Sequence, residues 1–179
     1  MKDFNFTPFP LIMGENIILR KLQPGDAPVI FDYQSNPENF PFVDMPIYTE
    51  LKQAEDYIAK MNGGVEQNKW IIWAITSKDT DEIMGTISIW GIEEEKSAAE
   101  LGYGLYPGNT GKGIMTQALN LAVEFGYEVM GLNHLDAYTN IKNLKSCTLL
   151  ERNGFNRVEV VTEDNGGGPM DMAVYRKRR

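Results

Sequence analysis

Cysteine and histidine are nearly absent: Cys147 and His134 are the only residues of either kind among 179. A single cysteine excludes an internal disulfide and gives no sign of a cysteine metal site. Long apolar runs are missing, and none approaches the ~20 residues that a transmembrane helix needs. The start, "MKDFNFTPFP", lacks the continuous apolar stretch of a signal peptide. A reducing compartment suits such a chain, and the cytoplasm is the expected one. Positive charge is also short, with 17 Lys and Arg against 25 Asp and Glu and a net charge of −8. That disfavours nucleic acid and anionic membranes as partners, because both need basic surface. It suits a cationic partner, although an acidic surface also serves plain solubility. The closing "RKRR" reads as a solvated end rather than a nucleic-acid patch.

What is present suits one compact domain spanning residues 1–179, with residues 1–14 as an irregular arm. "NIILRKL" (Asn16 to Leu22) predicts a strand, and the following "QPGDAPVIFDYQSN" a turn and a short helix. Ser35 to Thr49 resists regular structure yet carries Phe40, Phe42, Met45 and Tyr48. "TELKQAEDYIAKM" predicts a helix capped by Thr49, with Leu51, Ala54, Tyr57, Ile58 and Met61 on one face. "KWIIWAITS" is apolar throughout, so both faces of that strand should be covered. "IMGTISIWGI" returns as its hairpin partner, and "AELGYGLYP" predicts a further strand. Gly111 to Met130 repeats apolar residues at helical spacing. "HLDAYT" (strand), "NLKSCTLLERNG" (helix closed by Gly154), "FNRVEVVT" (strand), the turn "EDNGGGP" and "MDMAVYRK" (strand) complete the chain. The order β-α-α-β-β-β-α-β-α-β-β describes a mixed α/β domain with one crossover among antiparallel hairpins, not a doubly wound sheet.

The densest motif is "LYPGNTGKGIMT", Leu105 to Thr116, a glycine-rich strand-to-helix turn. It is not a P-loop: Gly113 stands where Ser or Thr should follow Gly111-Lys112, and Tyr106 where the first glycine should be. It is not a dinucleotide fingerprint either, because Thr116 occupies the third glycine position. A metal-free cradle remains, in which glycines admit close backbone approach and the first helical amides face an anion. Lys112 adds charge at the rim. A glycine-rich turn without a ligand is the plain alternative.

Together, "AELGYGLYPGNTGKGIMTQAL" and the downstream "NLKSCTLLERNGF" resemble the acetyl-CoA core of the GNAT N-acetyltransferases. The branch of ribosomal-protein N-terminal acetyltransferases is the most similar, and its early pattern is matched by Ile18, Leu19, Arg20, Lys21, Leu22, Asp26 and Ala27. The resemblance implies an acyl-CoA N-acyltransferase fold: a twisted, mostly antiparallel sheet of about seven strands, flanked by about four helices and splayed between the fourth and fifth strands. It implies acetyl-CoA as co-substrate, without a metal. Its pantetheine arm would pair with backbone near Leu105 and Tyr106, and its pyrophosphate would lie on amides of Thr110, Gly111, Lys112, Gly113, Ile114 and Met115. Thr110 departs from the family's Arg or Gln. Asn143 would help hold the arm, and Ser146 would lie near the thiol. The resemblance also allows a homodimer.

Acetyl transfer to an amine needs a base for the proton and a donor for the leaving thiolate. Glu100, at the start of the cofactor-bearing strand, is a candidate base, or else a surface carboxylate. Ser146 is the candidate donor, or a helix-start serine bonded to backbone. The tyrosine used by many GNAT enzymes is replaced here by Leu150. Tyr138 is a second candidate donor, with core packing as its favoured role. Glu151 and His134 read as structural, and Cys147 as a packed thiol pointing away from Ser146. The acceptor would meet Phe40, Phe42, Asp44, Met45 and Tyr48 of the irregular loop, Trp90, and the hairpin at Gly166 to Pro169. The alternative is a loop that packs its own aromatics. Together with the resemblance, these features predict an N-acetyltransferase acting on a primary amine by direct transfer; the resemblance alone makes a protein N-terminus the first acceptor considered. Small amines such as polyamines, amino acids or antibiotics are the alternative, as is a non-catalytic acyl-CoA-binding module.

Overall fold

A computed structural model describes residues 2–164 and 166–179. Met1 of the N-terminal arm and Asn165 of the expected last turn lie outside the described residues. The strands are β1 (Ile12–Met13), β2 (Ile17–Arg20), β3 (Ile71–Ser77), β4 (Ile83–Glu93), β5 (Ala98–Leu105), β6 (His134–Asn140), β7 (Asn156–Asp164) and β8 (Pro169–Arg178). The helices are α1 (Ala27–Gln34), α2 (Leu51–Glu66), α3 (Ile114–Glu128) and α4 (Leu144–Arg152). The strands form one sheet in the order β1-β2-β3-β4-β5-β6-β8-β7, antiparallel except for β5 against β6.

The expected mixed architecture is present, with one strand more than expected. The extra strand is the two-residue β1, which belongs to the N-terminal arm and pairs with Ile18 and Leu19. The arm is held along its length. Phe6 is fully buried, and the Trp73 indole donates to the Pro10 carbonyl at 2.8 Å. Two helix boundaries also differ. Helix α2 starts after Glu50, not at Thr49, because the Gln53 side chain accepts from both the Thr49 and Glu50 amides (2.7 and 3.0 Å). Helix α3 starts at Ile114, because Gly111 and Gly113 hold left-handed φ values of 76° and 72°.

Strand β3 is buried from Ile71 to Thr76, as its unbroken apolar run requires. One face of the sheet carries Trp73, Ile87, Ile89 and Leu101 and meets α3, whose Phe125 ring packs edge-on against Trp73. Helix α4 joins that face, where Glu151 accepts from the Tyr175 hydroxyl at 2.8 Å. Helices α1 and α2 cover the opposite face. Arg20 and Asp26, both from the early family-like pattern, form a buried two-pronged ion pair at 2.8 Å per contact.

Candidate active site

Strands β5 and β6 pair only at Ala98–His134, Ala99–Leu135 and Glu100–Asp136. Beyond Glu100 they part, and the β6-facing edge of β5 from Leu101 to Leu105 has no strand partner. The expected splay therefore lies between β5 and β6, the fourth and fifth strands of the sequence reading once β1 is set aside. Glu100 marks its apex.

The glycine loop sits at the mouth of this gap. A Cβ placed on Gly108, Gly111 or Gly113 would meet nothing within 4 Å. The first amide paired in α3 is that of Gln117, to the Gly113 carbonyl at 3.2 Å. Among the described residues, the amides of Gly113, Ile114, Met115 and Thr116 have no partner, as at any helix start. Open space, free amides and the positive end of a fifteen-residue helix fit a pyrophosphate. Thr110, Gly111 and Lys112 are exposed on the approach. The Tyr106 backbone is already engaged. Its amide already donates to the Met84 carbonyl (2.8 Å), and its carbonyl accepts from Asn109 (3.2 Å). The backbone edge left unpaired along the gap is that of β5 from Leu101 to Leu105.

On the α3/α4 face, the Tyr103 hydroxyl lies 2.7 Å from the Ser146 Oγ, joining β5 to the start of α4. Burial pushes the Tyr103 phenol up to about 12, although the hydrogen bond with Ser146 pulls the other way. Asn143 caps α4 by accepting the Ser146 amide at 3.2 Å, which leaves its side-chain nitrogen free to donate. Cys147 is half-buried, with its thiol turned toward Tyr175 and Tyr103. Leu150 is fully buried in the core. Tyr103 was missed by the sequence reading: in "AELGYGLYP" it looks like any strand aromatic, and its partner stands 43 residues away.

The opposite face presents Glu100, Gly102 and Gly104, alternate residues of β5. The two glycines bring no side chains of their own to this face, and the space over Gly102 is taken by its neighbours: a Cβ there would fall 2.9 Å from the Ser88 Oγ and 3.3 Å from the Trp90 indole. The Trp90 indole flanks Gly102, and the Tyr33 hydroxyl approaches Gly104. Burial, and then the negative charges of Glu163, Asp136 and Glu93, raise Glu100 above the usual carboxylate range. Tyr138 shares this face and is 38% exposed, so the core-packing role does not hold. In a strand whose Leu135 and Ala137 fill the core, the alternate residue must turn outward. This also puts Tyr138 on the face away from Ser146.

The irregular loop spans this side. Gln34 donates to Pro46 (2.8 Å) and accepts the Tyr48 amide (3.1 Å). Phe40 packs edge-on against Tyr33, and Asn140 donates to the Phe42 carbonyl at 3.2 Å. Asp44 presses on Gly167 of the β7–β8 hairpin, where a Cβ would fall 1.8 Å from its carboxylate. Loop and hairpin thus meet at Asp44 and Gly167, and Met45 next to Asp44 is exposed. Trp90 lies on β4 beside Gly102. It lines a cavity of about 680 Å³ together with Phe4, Trp70, Glu93 and Glu100. His134 sits at the start of β6, its pKa lowered by burial and by Arg176. Among the described residues, no group of three or more His, Cys, Asp or Glu is placed to hold a metal ion.

The family model described as "Acetyltransferase (GNAT) domain" matches residues 16–156. The chain belongs to the GNAT acetyltransferase family. The uncharacterized N-acetyltransferase p20 of Bacillus licheniformis is 31% identical over 143 residues, covering 80% of each chain. RimL, a ribosomal L7/L12 alpha-N-protein acetyltransferase solved with coenzyme A, shares the fold at a TM-score of 0.84 and 19% identity, over 94% of this chain and 98% of its own. The microcin C7 self-immunity acetyltransferase MccE, solved with acetyl-CoA and AMP, does so at 0.82 and 22%, over 92% and 93%. This GNAT protein is therefore an N-acetyltransferase that uses acetyl-CoA, and no helix among its described residues is long and apolar enough to cross a membrane.

Proposed function

We propose that this GNAT enzyme acetylates the N-terminal amine of a protein, by direct transfer within a ternary complex. The observation that carries this reading is the two-sided gap: a carboxylate, Glu100, at its apex on one face and a hydroxyl, Ser146, on the other. Acetyl-CoA supplies an acetyl group already activated as a thioester. The amides of Gly113 to Met115, with Thr110, Gly111 and Lys112 on the approach, would hold its pyrophosphate. The free edge of β5 up to Leu105 and the Asn143 side-chain nitrogen would hold its arm.

An amine entering over Gly102 and Gly104 arrives beside Glu100, whose pKa is raised by burial and by neighbouring acids, in the direction that makes a carboxylate a better proton acceptor. Glu100 takes one proton from the ammonium. The nitrogen forms the new C–N bond and loses a second proton, and the C–S bond breaks. Ser146 hydrogen-bonds the departing sulfur, which ends as a thiol. The balance is ammonium plus thioester giving amide, thiol and one released proton. Holding both reactants across one gap supplies much of the acceleration.

The open backbone at Gly104 favours a peptide, because an extended main chain can approach the strand there, with the Ser88 hydroxyl and the Trp90 indole beside Gly102 lining its path. The ribosomal-protein activity in the name of RimL supports the same class. The acidic surroundings of Glu100 favour a second reading, a small polycation. A thiol-release assay with short peptides of free N-terminus, their blocked counterparts and polyamines decides between them. Turnover of free but not blocked peptides is expected, and Glu100→Gln should reduce it by about 10²-fold or more. Faster turnover of polyamines would shift the acceptor class. Coenzyme A binding without turnover of any amine would leave an acyl-CoA-binding module.

A further inference from the structure

We infer that Tyr103 is a positioning residue for acetyl transfer: it fixes the Ser146 hydroxyl across the splay, so that the serine proton is presented to the departing coenzyme A sulfur. This rests on the reading of Ser146 given above. A serine hydroxyl has one proton to give and rotates freely, and in a helix it usually bonds back to its own backbone. Here it does not. Among the described residues its only partner is the Tyr103 hydroxyl, 2.7 Å away on the strand that borders the gap. The Ser146 amide is held separately by Asn143, so backbone and side chain are fixed from two directions. If Tyr103 is the donor, the serine proton has no protein acceptor and is left for a ligand. Burial raises the phenol to about 12, so it stays protonated and has a proton to give to the serine oxygen. Tyr103 acts through Ser146, and the α3/α4 face that it occupies carries the cofactor loop rather than the acceptor strip.

A purely structural tether between β5 and α4 is the competing account, and Tyr103→Phe separates the two by removing one oxygen and keeping the ring. The first measurement is calorimetric binding of coenzyme A and of its desulfo analogue, at about pH 7 and about pH 9, a range that spans the ordinary thiol pKa of about 8.5. In the wild type, the preference for coenzyme A should grow with pH, because a donor aimed at sulfur favours the thiolate. Tyr103→Phe and Ser146→Ala should each lower that preference at high pH by about threefold to tenfold, as expected for one hydrogen bond to a charged group. Affinity for the desulfo analogue should not change. An unchanged preference, or equal weakening of both ligands, overturns the inference.

The second measurement is steady-state turnover. Tyr103→Phe should lower kcat by about threefold to tenfold with KM for acetyl-CoA unchanged. Adding it to Ser146→Ala should cost nothing further. Multiplying losses would overturn it. If the wild type turns over no amine, the acetyl-transfer reading fails, and the binding preference alone still decides what Tyr103 does.

Discussion

Glu93 on β4, Asp136 on β6 and Glu163 on β7 bring negative charge to the Glu100 carboxylate, while burial removes part of its water. All of these raise its pKa, so the acidic limb of kcat/KM should lie above that of a free carboxylate. Glu163→Gln removes the largest of the charge contributions and should move that limb to lower pH; an unmoved limb would assign it to another group. The stability sign follows from the same shift. A carboxyl raised above its unfolded value favours folding most when protonated, and that contribution is lost as pH rises through the folded pKa. At this scale the sequence showed the carboxylate and the serine but not their surroundings. The neighbours of Glu100 come from three other strands, and Tyr103 acquires its meaning only through α4. Tyr138 was misjudged for the same reason, because strand alternation fixes a face only once the core side is known.

At the scale of elements, Arg20 and Asp26 connect β2 to the start of α1. Arg20 also donates to Asp81 at 2.8 Å and to the Lys21 carbonyl, so its buried guanidinium is fully engaged. Removing Asp26 strips the guanidinium of its buried partner and leaves only the solvent-exposed Asp81 carboxylate to compensate it. Asp26→Ala should therefore lower unfolding free energy by about 3–5 kcal/mol in a urea titration, with little change in slope. A loss below about 1 kcal/mol would mean that water reaches the site. The residues of this pair were legible as a sequence pattern, whereas their contact was not. Most elements were equally legible, because hydrophobic periodicity and glycine punctuation act locally. The exceptions are physical. A two-residue strand such as β1 has no periodicity, and the start of α3 depends on two left-handed glycines that a helical pattern runs through. The splay came from the family resemblance, since nothing within β5 or β6 alone says where their pairing stops.

Over the whole molecule, the net charge of −8 acts oppositely on the two substrates. Some of the acid near Glu100 is compensated among the described residues. Arg176 holds Asp136 through contacts of 2.6 and 2.7 Å, and Lys96 holds Glu93 at 2.6 Å. Glu159 and Glu163 add acidic side chains to this side of the sheet, and no salt bridge holds either of them among the described residues, so the acceptor face should attract an ammonium. Acetyl-CoA is an anion approaching an anionic protein, with Lys112 as the one cation on the glycine loop. Exposed charges are screened over a Debye length that falls from above 10 Å to a few ångströms as salt rises from about 50 mM to about 500 mM. Over that range KM for a cationic acceptor should rise severalfold, and KM for acetyl-CoA should fall or hold steady. The turnover number should change little, because the reacting groups lie within the gap. Initial rates with each substrate varied in turn would measure both trends. If the two KM values moved together, salt would be acting on the fold or on the gap itself. If the acceptor KM did not move, the amine would be entering away from Glu159 and Glu163, and the strip over Gly102 and Gly104 would not be its path.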